Sequence, residues 1–258
     1  MKKTAIHTLL VPLLALLAAL PPAQAADDAA TLLKNADRYR SGQDNLQIET
    51  QVSVFNRDGS VDKERRYTVF SQSGHKSLVL MRSPAEAGQK VLMLGDDFWL
   101  LLPGSQRPVR ITPSQKLLGD ASTGDIATLS WADDYQGQLV GEEPCPGDEA
   151  KKPATCLHLS LQATRKGVSY QRIELWMGKQ RHEPVAADLY VQSDKLAKQA
   201  RFLIDKSAPN LVAEMVLLDK LSTHKETRVR YLGRQGRSVP ENWLNPMFLA
   251  RNPALEQP

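Results

Sequence analysis

Apolar and polar residues alternate with a period of two along most of the chain. Between residues 46 and 54, for example, Leu46, Ile48 and Val52 are each followed by a polar residue. This alternation is typical of an antiparallel strand with one buried face. Similar segments recur to about residue 232, separated by short turns that contain Gly, Pro, Asn or Asp. The pattern predicts a mainly β protein with about eleven strands in one highly curved antiparallel sheet.

The segment before the first strand predicts a helix. Leu32, Leu33, Ala36 and Tyr39 recur at helical spacing after two aspartates that can cap the helix, and residues 41–42 (SG) end it. We expect this helix to cover the concave face of the sheet.

A second region without alternation runs from residue 112 to residue 131. Thr112 followed by Pro113 predicts the start of a short helix that ends at Gly119. Asp125 can cap a second short helix, which carries Ile126 and Leu129. These two helices are expected to interrupt the sheet and to cover the same face.

The first 25 residues have the pattern of a secretory signal peptide. Lys2 and Lys3 precede an apolar run from residue 9 to residue 20, and residues 23–25 (AQA) form a cleavage signal. The run is short for a membrane-spanning helix, so a retained anchor is the weaker alternative. We expect a cleaved signal peptide over residues 1–25 and one soluble domain over residues 26–258 in a Gram-negative periplasm.

The chain has two cysteines, Cys145 and Cys156, on either side of a loop rich in Pro, Gly and charged residues. The periplasm is oxidising, so a disulfide between them is the expected state. A metal site or a catalytic thiol is the alternative, but no cluster of His or acidic residues accompanies the pair.

Charge and motifs exclude several classes of function. The formal net charge of +4 falls to about +2 once Lys2 and Lys3 are removed, and the remaining basic residues are scattered, which argues against nucleic-acid binding. The chain has no G-x-S-x-G, no H-E-x-x-H and no phosphate-binding glycine loop. We therefore expect a protein that is not an enzyme and that has no cofactor and no metal.

Residues 91–131 resemble the outer-membrane lipoprotein-sorting proteins, the family of LolA-like periplasmic carriers. The resemblance lies in residues 95–99 (GDDFW), 108–111 (PVRI) and 117–122 (LLGDAS), and it extends to residues 184–218 and 239–246. It implies an incomplete antiparallel β-barrel, covered by a helical lid, with an apolar cavity between the two.

The resemblance and the strand pattern together suggest candidate site residues, although ordinary core packing explains any one of them as well. The lipid-binding cavity is expected to be lined by Leu78, Leu80, Met93, Trp99, Leu101, Ile111, Phe202 and Met215. The lid is expected to contribute Leu117, Leu118, Ile126, Leu129 and Trp131. Arg65, Arg66 and Arg110 are expected to bind a headgroup or to hold the lid by hydrogen bonds.

The function implied by the resemblance is that of a carrier. Such a protein binds the acyl chains of lipoproteins or lipids and moves them from an inner-membrane transporter to an outer-membrane acceptor, and we expect it to be a monomer. The alternative on the same scaffold is a periplasmic sensor that binds mislocalised lipoprotein and a membrane signalling partner. A hydrolase acting on lipid or glycan is a third possibility, which requires a supported nucleophile or acid pair.

Overall fold

A computed structural model describes residues 24–41, 45–118, 121–127, 130–147, 155–221 and 226–251. The predicted signal peptide lies almost wholly outside these ranges. The first helix, α1, spans Gln24–Arg40 and so includes the last two residues of the predicted signal peptide. No helix within the described ranges is both long enough and apolar enough to span a membrane.

Among the described residues, thirteen strands form one antiparallel sheet and two short strands, β7 and β8, form a separate pair. The first six strands are β1 (Leu46–Phe55), β2 (Val61–Gln72), β3 (Lys76–Met81), β4 (Lys90–Leu94), β5 (Asp97–Leu101) and β6 (Val109–Ile111). The short pair is β7 (Lys116–Leu118) and β8 (Ala121–Ser122). The remaining strands are β9 (Tyr135–Pro144), β10 (Thr155–Ala163), β11 (Arg172–Gly178), β12 (Pro184–Tyr190), β13 (Leu196–Ile204), β14 (Val212–Asp219) and β15 (Glu226–Gly236).

The sheet is open, and its edge strands are β6 and β9. Strands β1 to β6 follow one another in one direction from β1, and β15 back to β9 follow in the other direction. The two halves meet where β1 pairs with β15, at a register that opposes Val52 to Val229. The prediction of one antiparallel sheet is confirmed, but the sheet has thirteen strands rather than about eleven, and it is not closed into a barrel.

The two faces of the sheet carry different clusters of apolar residues. On the inner face, alternate residues of most strands pack with α1 and with the second helix, α2 (Thr123–Ala127), into one large core. On the outer face, a smaller cluster that includes Phe70, Leu78 and Leu92 lies beneath the C-terminal segment. That segment forms one 3-10 turn (Glu241–Leu244) and a short helix, α3 (Pro246–Leu249).

Helix α1 confirms the sequence prediction, since Leu32, Leu33 and Ala36 are buried against the inner face. Its close approach to β9 depends on Gly137. A Cβ atom at that position would lie 3.1 Å from Leu33 Cδ1 and 3.2 Å from Leu161 Cδ2. The absence of a side chain at residue 137 therefore leaves room for the helix.

The first of the two helices expected after residue 112 does not form. The Pro113 carbonyl accepts a hydrogen bond from Gly124 N, and the Gln115 carbonyl accepts one from Thr123 N, both at 2.8 Å. These carbonyls thus pair with a distant segment instead of with residues one turn onward, and Lys116–Leu118 continue as strand β7. The expected helix end at Gly119 lies outside the described residues.

The second expected helix does form, as α2, but Asp125 lies inside it rather than capping it. Ser122 precedes the helix, and its backbone N donates to Asp125 Oδ2 at 2.8 Å while its hydroxyl accepts from Asp125 N at 3.4 Å. This reciprocal pair is a capping box, and it fixes the helix start two residues before Asp125. Leu129, which was expected on this helix, lies outside the described residues.

Candidate functional site

The space between the inner face and the helices is the candidate site. A small cavity of about 50 Å³ remains there, walled by β11 to β14 on one side and by the segment around α2 on the other. Its lining is mostly apolar and includes Trp131, Tyr135, Val168, Tyr170, Ile173, Leu189, Phe202 and Met215.

Trp131 is buried in this interior and packs between α1 and the sheet. Its ring packs edge to face on Phe202, with the ring centroids 5.5 Å apart. The Arg40 guanidinium lies 4.0 Å from the centre of the Trp131 ring. Aromatic pairs and cation–π contacts of this kind each stabilise by roughly 0.5–2 kcal/mol. Trp131 therefore acts as a packed plug between α1 and β13.

Asp37 of α1 holds the segment that carries Trp131. Its carboxylate accepts hydrogen bonds from Trp131 N at 2.9 Å and Ala132 N at 2.8 Å, and from the Ser130 hydroxyl at 3.2 Å. Burial raises the pKa of Asp37 to about 6, although Arg40 and these hydrogen bonds act in the opposite direction. One buried carboxyl thus ties the segment to the helix.

Helix α2 is tied to the middle of the sheet by a buried ion pair. Lys198 Nζ on β13 lies 2.5 Å from Asp125 Oδ2, and the Tyr170 hydroxyl donates to Asp125 Oδ1 at 2.7 Å. Burial by itself raises the pKa of Asp125, but the Lys198 charge and the hydrogen bonds outweigh it and hold that pKa below its usual value. Burial, reinforced by the Asp125 charge, raises the pKa of Tyr170 well above its usual value.

Sequence analysis missed this ion pair, although one signal was present. Lys198 is separated by two and four residues from Ala200 and Phe202 in strand β13, so it lies on the same face of the strand. Both of those residues belong to the inner core. A lysine in that register must lie on the inner face, where it requires a buried partner.

A second polar network joins turns from the two halves of the sheet. Arg165, between β10 and β11, lies 2.7 Å from Asp96 in the β4–β5 turn and 2.8 Å from Asp134 before β9. Its Nη1 also lies 2.5 Å from His75 Nδ1 in the β2–β3 turn. Burial raises the pKa of Asp134, and the Arg165 charge offsets part of that effect. The network therefore connects the β1–β6 half of the sheet to the β9–β15 half at one end of the interior.

The predicted cavity residues divide between the two faces. Met93, Phe202 and Met215 belong to the inner core, and Ile111 packs against it. Leu78, Leu80 and Leu101 belong instead to the outer cluster beneath the C-terminal segment, and the partly buried Trp99 packs against that cluster.

The predicted lid residues are described in part. Ile126 and Trp131 are buried in the inner core. Leu117 and Leu118 lie in strand β7, and Leu129 lies outside the described residues.

The three predicted arginines lie away from the cavity. Arg65 Nε is 3.5 Å from Glu86 Oε2, and Arg66 is exposed on the same strand. Arg110, on the edge strand β6, pairs with Asp97 and lies 5.6 Å from the centre of the Trp99 ring.

The predicted disulfide is confirmed. The sulfur atoms of Cys145 and Cys156 are bonded at 2.04 Å, so that the bridge joins the end of β9 to the start of β10. Within the described parts of the chain, no group of three or more His, Cys, Asp or Glu side chains is arranged to hold a metal ion.

Comparisons with known structures identify the fold. A LolA superfamily protein from Nitrosomonas europaea matches with 27% sequence identity and a TM-score of 0.74, over 84% of this chain and 97% of that one. A domain described as an outer membrane lipoprotein-sorting protein, from Vibrio parahaemolyticus, matches with 17% identity and a TM-score of 0.66, over 88% of this chain and 100% of that one. A DUF1329 family protein from Desulfovibrio piger matches with 22% identity and a TM-score of 0.65, over 86% of this chain and 97% of that one.

A comparison with family models gives one match. A family model described as "Uncharacterized protein" matches residues 73–251, which is more than half of the chain. No curated protein matches the chain. The chain belongs to the family that this model describes, and its resemblance to the LolA-like outer-membrane lipoprotein-sorting proteins is confirmed.

Proposed function

We propose that this protein is a periplasmic carrier that binds the acyl chains of lipids or lipoproteins between the inner face of its sheet and the helices. The observation that supports the proposal most directly is the continuous apolar inner face of an open sheet. The fold of the LolA superfamily protein from Nitrosomonas europaea adds support. We further propose that an inner-membrane transporter donates the cargo and that an outer-membrane acceptor receives it.

The free energy of burying acyl chains is large enough to drive such binding. Each buried CH₂ group stabilises by about 0.8 kcal/mol, so a chain of 16 carbons can gain on the order of 13 kcal/mol. Ligand pockets generally measure about 300–1,000 Å³. The cavity of about 50 Å³ is too small for such a chain, so the proposal requires that this conformation opens when cargo binds. Cargo must displace part of the protein's own packing.

The segment from residue 112 to residue 134 is the proposed lid. Its described residues lie over the inner face without joining the thirteen-stranded sheet, and their contacts include the Asp125–Lys198 ion pair, the hydrogen bonds to Asp37, the Asp134–Arg165 ion pair and the packing of Trp131. Outward movement of Trp131 would open the space beside Phe202 and Met215. In this proposal, Ile126 and Trp131 are lid residues, while Met93, Ile111, Phe202 and Met215 line the binding space.

The first experiment tests for cargo. The protein is isolated from the periplasm without detergent, extracted and analysed by mass spectrometry, and the delipidated protein is titrated with a fluorescent fatty acid. We expect co-purified acyl species and saturable uptake of the probe. A protein that carries no acyl species and takes up no probe would refute the carrier function.

Two tryptophan variants locate the binding space. Trp131→Ala removes the plug, so we expect it to bind the fluorescent fatty acid several-fold more tightly than the wild type. Trp243→Ala removes an indole that packs edge to face on Phe70 in the outer cluster, and it serves as the matched control. Equal affinities for the probe in both variants would place the acyl chain elsewhere.

A further inference from the structure

A polar groove of about 470 Å³ lies directly beside the apolar cavity. One wall is the C-terminal half of α1, the opposite wall is the turn between β2 and β3, and residues 130–133 complete it. Ser130 lines both the groove and the cavity, and Met93 of the inner core lies in the groove lining. The groove and the space proposed for acyl chains therefore border on the same residue, Ser130.

Basic side chains converge on this groove from both walls. Lys34 and Arg38 lie one turn apart on α1 and so share a face of the helix, and Lys76 comes from the start of β3 on the opposite wall. Lys34 is exposed and makes no ion pair within the described ranges, and Arg38 donates only a long hydrogen bond of 3.5 Å to Asn35. The Lys34 ammonium group and the Arg38 guanidinium group are thus available to a ligand.

The acidic groups of the groove compensate these charges only in part. The Asp37 carboxylate is buried and turned towards Trp131 and Ala132, and Lys76 pairs with the exposed Glu241 at 3.2 Å. Asp133 is exposed at the rim of the groove. An excess of positive charge remains on the α1 wall.

We propose that this groove binds the phosphate of an anionic lipid headgroup, with Lys34 and Arg38 as its main contacts, while the acyl chains pass Ser130 into the interior. Arg and Lys are the side chains that bind phosphate oxygens most strongly. The groove has the size of a small-molecule site. This inference rests on the proposed carrier function, and it defines the cargo as an amphiphile with an acidic head.

The test compares two short-chain lipids that have identical acyl chains and differ in headgroup charge. Phosphatidylglycerol and phosphatidylcholine, both below their critical micelle concentrations, are titrated into wild type by calorimetry. We expect phosphatidylglycerol to bind about tenfold more tightly at low salt, with a preference that shrinks as the salt concentration rises. Equal affinity of the wild type for both lipids overturns the headgroup site.

Substitutions then assign the preference to the groove. Lys34→Gln with Arg38→Gln should abolish the preference for phosphatidylglycerol and should lower the affinity for phosphatidylcholine much less, because the choline ammonium already offsets the phosphate charge of that lipid. The control, Arg57→Gln with Lys63→Gln, removes the same charge from exposed residues at the β1–β2 end of the sheet and should keep the preference. Asp133→Asn should strengthen the preference. A preference that survives in the Lys34/Arg38 variant counts against the proposal.

Two further comparisons distinguish failure of the headgroup site from failure of the carrier function, and binding of a lipid phosphate from binding of free phosphate. If the fluorescent fatty acid binds but the two lipids bind equally, the carrier function stands and the headgroup site fails. If no acyl ligand binds at all, the carrier function itself fails.

Inorganic phosphate that competes with phosphatidylglycerol supports recognition of the phosphate group. Phosphate that binds without displacing the lipid contradicts the proposed pose.

Discussion

At the scale of single residues, buried charges decide how the helices are held on the sheet. Asp37 fixes the Trp131 segment and Asp125 fixes α2, and both aspartates are buried. Removing a charge from water is costly unless partners compensate for it. Both carboxyl groups have a cationic neighbour, but Lys198 Nζ lies 2.5 Å from Asp125, whereas Arg40 Nη1 lies 3.5 Å from Asp37, whose nearest partners are backbone N–H groups.

The pKa of Asp37 predicts a dependence of stability on pH. Burial raises this pKa from 3.8 to about 6. The native state therefore binds the proton more tightly than the unfolded state, and the associated stability, roughly 3 kcal/mol at most, is present below pH 4 and lost as pH rises through 6. We expect the unfolding free energy of wild type, relative to Asp37→Asn, to fall between pH 4 and pH 7 in urea titrations. A difference that is flat or rising over this range would contradict the assignment.

The Asp125–Lys198 pair predicts a strong non-additivity. Lys198→Met leaves a buried carboxylate without its partner, and such a change costs about 3–5 kcal/mol. The double variant Asp125→Asn/Lys198→Met removes both charges and should recover a large part of that loss. Urea unfolding of the wild type, the two single variants and the double variant measures this coupling. Simple addition of the two single effects would show that the charges do not interact.

At the scale of elements, turns from opposite halves of the sheet meet closely at the Arg165 network. Gly167 follows Arg165 by two residues, and a Cβ atom there would lie 2.4 Å from the Cα atom of Asp96. Backbone cannot yield as a flexible side chain does, so a side chain at residue 167 must push the β10–β11 and β4–β5 turns apart.

Gly167→Ala should therefore destabilise the protein by about 1–3 kcal/mol. Gly233→Ala is the control, because a Cβ atom at residue 233 in β15 meets nothing within 4 Å, and it should change stability by less than about 1 kcal/mol. Thermal unfolding monitored by circular dichroism gives both values. Similar losses of stability in the two variants would show that the contact with Asp96 is unimportant.

At the scale of the whole molecule, the sheet and the proposed lid differ in the interactions that stabilise them. Central strands form backbone hydrogen bonds with a neighbouring strand on each side. Strand β1, for example, pairs with β2 and with β15 along its whole length. Among the described residues from 112 to 134, the strand pairing is short, as between β7 and β8, and side-chain anchors such as Asp37 and Lys198 supply further contacts. Local opening requires little free energy where buried contacts and ladder hydrogen bonds are few.

Hydrogen exchange should show this difference directly. We expect peptides from β1 and β15 to exchange slowest and peptides from residues 112–134 to exchange much faster, measured by mass spectrometry. Addition of a fatty acid should change exchange in the second region and leave the first unchanged. Uniform protection across both regions would contradict the assignment of residues 112–134 as a lid.

Much of the architecture could be predicted from local sequence. Alternation located the strands, since each half-buried strand must repeat every two residues, and helical spacing of Leu32, Leu33 and Ala36 located α1. The segment at 112–118 could not be predicted in this way. Its carbonyls pair with Thr123 and Gly124, and the advantage of that pairing is not visible in the propensities of the segment itself.

The sequence by itself determined the alternation that makes this a β protein, the family to which it belongs and the pair of cysteines that forms the bridge. Only the tertiary structure decided which side of each strand is the inner one. Alternation separates Phe98 from Trp99 without saying which of them faces the helices, and the structure places Phe98 in the inner core and Trp99 against the outer cluster. The physical reason is that both faces of this half of the sheet are covered, one by helices and the other by the C-terminal segment. Both sets of side chains are therefore apolar, and only the three-dimensional arrangement distinguishes them.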